Sequence, residues 1–254
     1  MDDPRLLTPP TETQPIFRLA IAPSSRGLLL GGTGTGKSTL LKQLMLMWIA
    51  VPGRRLLIID SKPRWRATNR ANGLSAKWIY RGWDHGDEFP NSILATNMDE
   101  FRYVWKAFPK FAVIAQSDED MEFLAAAAAF VYNAAKRSKT KVLIAVDETM
   151  DHFSIGAAPL AKSGRIWQRL ARSGRELGIA VLYASQRSKQ IPISIIEEIS
   201  YLFLFRIDYV EDIDRLRAMG IPKDLLPPRR DFIFNYWRKS IRSRIWGPFK
   251  VSHP

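Results

Sequence analysis

The chain has 254 residues and carries 38 Lys and Arg against 25 Asp and Glu, a formal net charge of +13. With 46% hydrophobic and 25% charged residues it has an ordinary globular balance, which excludes a wholly disordered or fibrous chain. It has no cysteine, which excludes disulfide scaffolds, thiolate-bound zinc, iron–sulfur clusters and thiol catalysis.

The length suits one α/β domain with appendages. The opening MDDPRLLTPPTETQP carries early acids and several prolines but no long apolar stretch, so it does not read as a signal peptide. The most apolar runs, 40–51 and 125–135, are shorter than the about 20 residues a membrane helix needs. A soluble intracellular protein without a membrane span is expected. Its positive charge points to a polyanionic partner.

Residues 1–25 are rich in Pro, Thr and Ser and read as an N-terminal arm. Apolar runs then alternate with helical patterns. RGLLLGG (26–32) reads as a short buried strand, followed by a Gly/Thr loop and a helix over 37–50. RRLLIID (54–60) is a second strand. Segments 77–80 and 91–95 are weaker strands, 99–108 is an amphipathic helix, and FAVIAQ (111–116) is a strand. A helix is expected from Ser117 to about Lys136, with Ser117 and Asp120 as an acidic variant of the capping box. KVLIAVD (141–147) is a strand, 160–177 a helix, and GIAVLYAS (178–185) a strand. YLFLFRI (201–207), a helix over 211–219 and DFIFNY (231–236) complete a domain spanning 26–236, and 237–254 reads as a basic C-terminal tail. Continuous apolar strands alternating with helices predict an α/β fold, a mostly parallel sheet with helices on both faces.

Gly31, Gly32, Thr33, Gly34, Thr35, Gly36, Lys37 and Ser38 spell the phosphate loop G-x-x-x-x-G-K-[ST] between a strand and a helix. Glycines let several backbone N–H groups face one phosphate chain, and the helix N-terminus faces the same anion. Lys37 is placed as a point charge on the β- and γ-phosphates, Ser38 as a Mg²⁺ ligand, and Thr39 near the α-phosphate. ATP and Mg²⁺ are the expected cofactors.

VLIAVDE ends a strand in two acids, and the carboxyl ends of parallel strands open onto the ligand crevice. Asp147 is expected to hold Mg²⁺, and Glu148 to act as general base on the attacking water. The plain alternative is a solvated pair or a cap for the next segment. Gln186, at the tip of 178–185, is placed to sense the γ-phosphate or orient the water. Arg169, Arg172 and Arg175 recur every third residue and read as one broad helical face. Arg175, or failing that Arg172, is the candidate to reach a neighbouring subunit's γ-phosphate; the same stripe also suits a solvated or DNA-facing surface.

Four segments in order, GGTGTGKST, RRLLIIDSKPRW, VLIAVDE and GRELGIAVLYASQRS, resemble the HerA/FtsK superfamily of P-loop ATPases. The resemblance spans 26–236 and implies a RecA-like fold, Asp60 and Lys62 as the family's strand-end pair, Gln186 and Arg187 as its sensor-strand ending, and a hexameric ring acting on DNA. No winged helix, membrane segment or N-terminal barrel is visible, so the build is closest to the genome-packaging ATPases of viruses. That implies a capsid or portal partner and a host-cytoplasmic or virion-associated location.

Positive charge is clustered. Segment 54–82 has eight bases against one acid, 162–189 seven against one, and 229–254 seven against one. Such segregation suits surfaces that track double-stranded DNA with little sequence specificity. Trp65, Trp237 and Trp246 lie among these charges, either packed or stacking on bases. The acid-rich 84–120 reads as an outer face or subunit contact. His85 and His152 have no ligand partners at metal-binding spacing.

The reading is an ATP-driven double-stranded DNA translocase, most simply a viral genome-packaging motor. A plasmid or conjugative DNA pump shares the same chemistry. A P-loop kinase would not need Glu148 beside Asp147, and a nucleotide-gated DNA-binding scaffold would bind ATP without turnover.

Overall fold

A computed structural model describes residues 21–62, 64–67, 87–149, 162–218, 220–225, 227–239 and 245–251. Most of the N-terminal arm, the weak strand at 77–80, and His85 and His152 lie outside them.

Among the described residues, eleven strands and six α-helices follow one another. In order they are β1 Arg26–Leu30, α1 Lys37–Ile49, β2 Arg54–Asp60, β3 Trp65–Ala67, β4 Asp87–Phe89, β5 Ser92–Ala95, α2 Met98–Ala107, β6 Ala112–Gln116 and α3 Met121–Ser138. There follow β7 Lys141–Asp147, α4 Lys162–Ser173, β8 Ile179–Ser185, α5 Ile193–Ile196, β9 Tyr201–Leu204, α6 Val210–Ala218, β10 Ile233–Arg238 and β11 Ile245–Lys250. Nine strands form one sheet in the order β11-β10-β9-β1-β8-β7-β2-β6-β5. From β9 to β5 every pairing is parallel; β10 and β11 add antiparallel to one edge. This is the mostly parallel RecA-like P-loop sheet that the alternating pattern and the resemblance predict.

The strand runs are apolar on both faces because both faces are covered. Leu29, Leu56, Ile58, Leu143 and Leu182 pack with Leu40, Leu41, Leu44, Met45 and Trp48 of α1. Their strand neighbours Leu28, Leu57, Ile59, Val146 and Val181 point the other way, onto the buried faces of α2, α3 and α4.

Several boundaries differ from the sequence reading. Helix α3 starts at Met121, not Ser117: Asp120 is its N-cap, accepting from the Phe123 N–H at 2.7 Å. Ser117 instead closes the turn ahead, accepting from the Asp120 N–H at 2.8 Å. Helix α4 ends at Ser173, and Gly174–Gly178 is a turn. Arg175 therefore leaves the helix, and the every-third-residue stripe is not one helical face. Arg165, Arg169 and Arg172 share the exposed side of α4 instead, opposite buried Trp167, Leu170 and Ala171.

Strand β11 lies inside the segment 237–254 read as a tail. Its Gly247-Pro248 hides it from a strand pattern, and an edge strand is where Pro is tolerated. A further two-stranded parallel pair, β3-β4, is not hydrogen-bonded into the main sheet but buries Trp65 and Phe89 in its core.

Candidate active site

Parallel strands share one carboxyl edge. In register there, Leu30 faces Ser185, Asp60 faces Asp147 on one side and Gln116 on the other, and Val146 faces Tyr183. The phosphate loop after β1, the acids after β7 and Gln186 after β8 are thus neighbours by topology. Strand β8 lies between the phosphate-loop strand and the carboxylate strand. That places Gln186 between Thr33 and Glu148.

The loop is shaped for an anion. Gly36 has φ of 99°, and a Cβ there would come within 2.9 Å of the Phe232 ring, so only glycine fits without a shift. No side chain caps α1, which leaves its first N–H groups available to a ligand. Thr35 is buried and donates to the Gly32 carbonyl at 2.8 Å, so its hydroxyl braces the loop. The Lys37 ammonium donates to the same carbonyl at 2.6 Å. Burial lowers the Lys37 pKa to about 8, against the opposing pull of Glu148 and Asp147.

Asp147 and Glu148 are both buried. Burial raises the Asp147 carboxyl above the ordinary carboxylate range, with nearby Arg64 opposing it. Its Oδ2 has no hydrogen-bond partner. Glu148 sits at φ 50°, a left-handed backbone rare for a non-glycine residue and found where a side chain must be aimed. The Gln186 amide donates to Glu148 Oε1 and Oε2 at 2.9 and 3.1 Å, and the Gln186 carbonyl accepts from Thr33 Oγ1 at 2.9 Å.

Thr33, Gly34, Thr35, Gly36, Lys37, Ser38 and Thr39 line a cavity of about 240 Å³ with Arg64, Glu148, Gln186 and Phe232. The site thus brings together the predicted loop residues, Glu148 and Gln186, with Asp147 beside them. Gly31 and Gly32 precede this lining and tie the loop back to the sheet: the Gly31 N–H donates to the Ser185 carbonyl at 3.3 Å and the Gly32 N–H to the Arg206 carbonyl at 2.8 Å. The donor set fits Mg²⁺: Ser38 offers a hydroxyl oxygen and Asp147 a buried carboxylate oxygen without a hydrogen-bond partner, both hard ligands. A cation held by them would shield a phosphate chain and draw charge from its terminal phosphoryl group.

Arg64 and Phe232 belong to the site although neither was a sequence candidate. Arg64 Nη1 donates to Ser38 Oγ at 2.9 Å, and Nη2 reaches Glu148 Oε1 at 3.2 Å. Phe232 donates its N–H to the Thr35 carbonyl at 2.9 Å from a left-handed φ of 57°. Sequence proximity to Asp60 is the one signal that pointed toward Arg64; nothing local marked Phe232.

Arg172 and Arg175 are not in the site. Both are exposed, and Arg175 lines a separate cavity with Ser24, Glu197 and Arg238 at the amino ends of β1, β8 and β9. The seven residues of β8 separate that edge from Gln186, about 20 Å at the usual rise per residue. Neither arginine serves its own chain's loop across that span.

Other expected surface groups are engaged internally. Trp65 and Trp237 are buried, so they pack rather than stack on bases; the side chain of Trp246 lies outside the described residues. Arg54 lies 4.3 Å over the Trp48 ring and Arg55 3.7 Å over Trp105. Arg187 stacks 3.5 Å over Tyr209 and pairs with Asp212 at 2.7 Å. Among the described residues no cluster of His, Asp and Glu forms a separate metal site, and no helix is long and apolar enough to cross a membrane.

No protein-family model matches the sequence, and a search of curated proteins finds no match. Solved structures do match. The genome packaging NTPase B204 from Sulfolobus turreted icosahedral virus 2, in complex with ATP-gammaS, aligns over 90% of this chain and 100% of its own, with TM-score 0.60 and 15% identity. The DNA-packaging ATPase B204 from Sulfolobus Turreted Icosahedral Virus covers the same shares at TM-score 0.56 and 14% identity. The pCW3 conjugation coupling protein TcpA with ATPgS aligns over 91% of this chain and 61% of its own, at TM-score 0.58 and 13% identity. The chain shares the fold of these NTPases, the RecA-like P-loop sheet.

Proposed function

We propose that the protein is a Mg²⁺-dependent ATPase that drives double-stranded DNA, most simply the genome-packaging motor of a virus. The observation that carries the ATPase reading is the pair Glu148 and Gln186. A phosphate loop alone suits any nucleotide binder. A buried carboxylate aimed by a left-handed backbone, and held by an amide that also touches the loop, suits activation of water. A kinase needs no such base for water.

Lys37 would neutralise the phosphate chain, Ser38 and Asp147 would hold Mg²⁺, and Glu148 would accept the proton of the attacking water. Arg175 or Arg172 would be contributed by a neighbouring copy, in a hexameric ring, because each lies at the sheet edge remote from its own loop. Exposed Arg165, Arg169 and Arg172 on α4 offer a phosphate-tracking surface. The chain spans the whole length of a solved genome-packaging NTPase, which favours packaging at a capsid or portal, in the host cytoplasm or virion. Likeness to a conjugation coupling protein supports a plasmid DNA pump as the second reading.

The test is steady-state ATP hydrolysis with and without long duplex DNA, using Lys37→Ala as the blank. Stimulation that disappears in the variant and weakens with salt is expected. Hydrolysis indifferent to DNA at every salt concentration would contradict the motor.

A further inference from the structure

Arg64 occupies an unusual place. Its Nη1 lies 2.9 Å from Ser38 Oγ and 3.8 Å from Asp147 Oδ2, the two oxygens that fit a divalent cation. Its Nη2 lies 3.2 Å from Glu148 Oε1. The guanidinium therefore bridges both metal-fitting groups and the carboxylate placed to activate water. The two acids are buried with side-chain exposures of 4% and 5%, while Arg64 keeps 38%, so its charge reaches in from the open side. Two adjacent buried carboxylates need a compensating cation. Lys37 directs its ammonium to the Gly32 carbonyl, and Arg64 makes the direct contacts to the acids.

The backbone holds Arg64 ready for this. The N–H groups of Arg64 and Trp65 both donate to Asp60 Oδ2, at 2.8 and 3.1 Å, and Gln116 Nε2 donates to the same oxygen at 2.6 Å. Asp60 is buried at the tip of β2, opposite Asp147 in register. The Arg64 and Trp65 backbone is thus anchored to the tip of β2, with the Arg64 side chain extending from it to Ser38 and Glu148.

Resting on the nucleotide reading above, we propose that Arg64 is a built-in stand-in cation, holding the Mg²⁺ position in the nucleotide-free site and competing with the metal for it. Mg²⁺ binds oxygen at about 2.0–2.1 Å, so a guanidinium nitrogen cannot keep its place between the same two oxygens. Arg64 must swing out when Mg²⁺ enters with nucleotide. Its planar fork is then free for phosphate oxygens on the same open side. The stand-in keeps the acids neutralised between turnovers and makes metal entry contingent on a ligand that gives Arg64 a new partner.

The test uses the full chain and a fluorescent, non-hydrolysable ATP analogue (mant-AMPPNP), titrated at a series of Mg²⁺ concentrations. Arg64→Gln keeps a polar side chain but removes the competing charge. Its half-saturating Mg²⁺ is expected to fall about tenfold, the lower end of a charge-assisted hydrogen bond's worth for a half-exposed group. Its metal-free affinity for the analogue is expected to weaken. Arg64→Lys, which keeps the charge without the fork, should lie between. A half-saturating Mg²⁺ that is unchanged or higher in Arg64→Gln, with an unaltered circular dichroism spectrum, would overturn the proposal. A wild-type chain that binds no analogue at any Mg²⁺ would overturn the nucleotide reading itself, and the proposal with it.

Discussion

The Gln186 amide holds both carboxylate oxygens of Glu148, at 2.9 and 3.1 Å. The same side chain accepts a hydrogen bond from Thr33 in the phosphate loop, so one residue links the loop to the carboxylate. Glu148→Gln should lower kcat by about 10²-fold or more, the range for loss of a general base, with nucleotide affinity retained. Gln186→Ala should lower kcat by about tenfold while Kd stays within about twofold, because it aims the base without bearing charge. Single-turnover hydrolysis beside equilibrium nucleotide binding checks both. A loss confined to Kd would contradict the assignment.

Much of this site is legible in the sequence because its chemistry is local. GGTGTGKS is one contiguous loop, and Asp147, Glu148 and Gln186 each sit where an apolar strand ends. In the sequence Arg64 is one base of the cluster at 54–82. Its role depends on Asp60 and on Gln116, 56 residues from Asp60, and no local pattern reports that contact. Phe232 meets Thr35 across most of the chain for the same reason. Strand β11 was hidden by Gly247-Pro248. Arg175 left its predicted helix because Gly174 begins a turn there, which the three-residue spacing of arginines masks.

Lys37 has a pKa of about 8 because burial outweighs the nearby acids. It is cationic below that pH and loses its charge above it. Affinity for a nucleotide triphosphate should therefore fall as pH rises through about 8, by more than the ligand's own ionisation explains. Lys37→Arg stays charged throughout and should give a flatter profile. Fluorescence titrations of the same analogue from pH 7 to pH 9.5 check this.

Asp60 is raised to about 7, first by burial, with its hydrogen bond from Gln116 opposing. The folded state thus holds a proton that the unfolded chain releases near the ordinary value of 3.8. Stability from this group is present at low pH and is lost as pH rises between about 4 and 7. Asp60→Asn keeps the acceptor oxygen and removes the titration. The difference in Tm, wild type minus variant, should fall across that window and level off above it. A difference independent of pH would contradict the shift.

Arg26 is fully buried and donates to four backbone carbonyls: Ser24, Leu170, Ala171 and Ile179. Leu170 and Ala171 belong to the last turn of α4, and the Leu170 carbonyl also accepts from the Gly174 N–H at 3.2 Å. Arg26→Met would remove these four hydrogen bonds, at a cost of about 3 kcal/mol or more, read by urea denaturation. It should also loosen the turn carrying Arg175.

The trans assignment of Arg175 has a sharp consequence. Arg175→Ala and Glu148→Gln should each be nearly inactive alone. Mixed, they form interfaces in which an intact site meets an intact arginine, so activity should return in part. If mixing restores nothing for Arg175→Ala but does for Arg172→Ala, the finger is Arg172.

The central claim is ATP-driven movement along duplex DNA, and displacement of a triplex-forming strand from a linear duplex tests it most directly. Release of the third strand should require ATP and Mg²⁺, fail with Lys37→Ala and Glu148→Gln, and be delayed as the distance from the duplex end grows. ATP hydrolysis with no strand release at any distance would contradict it.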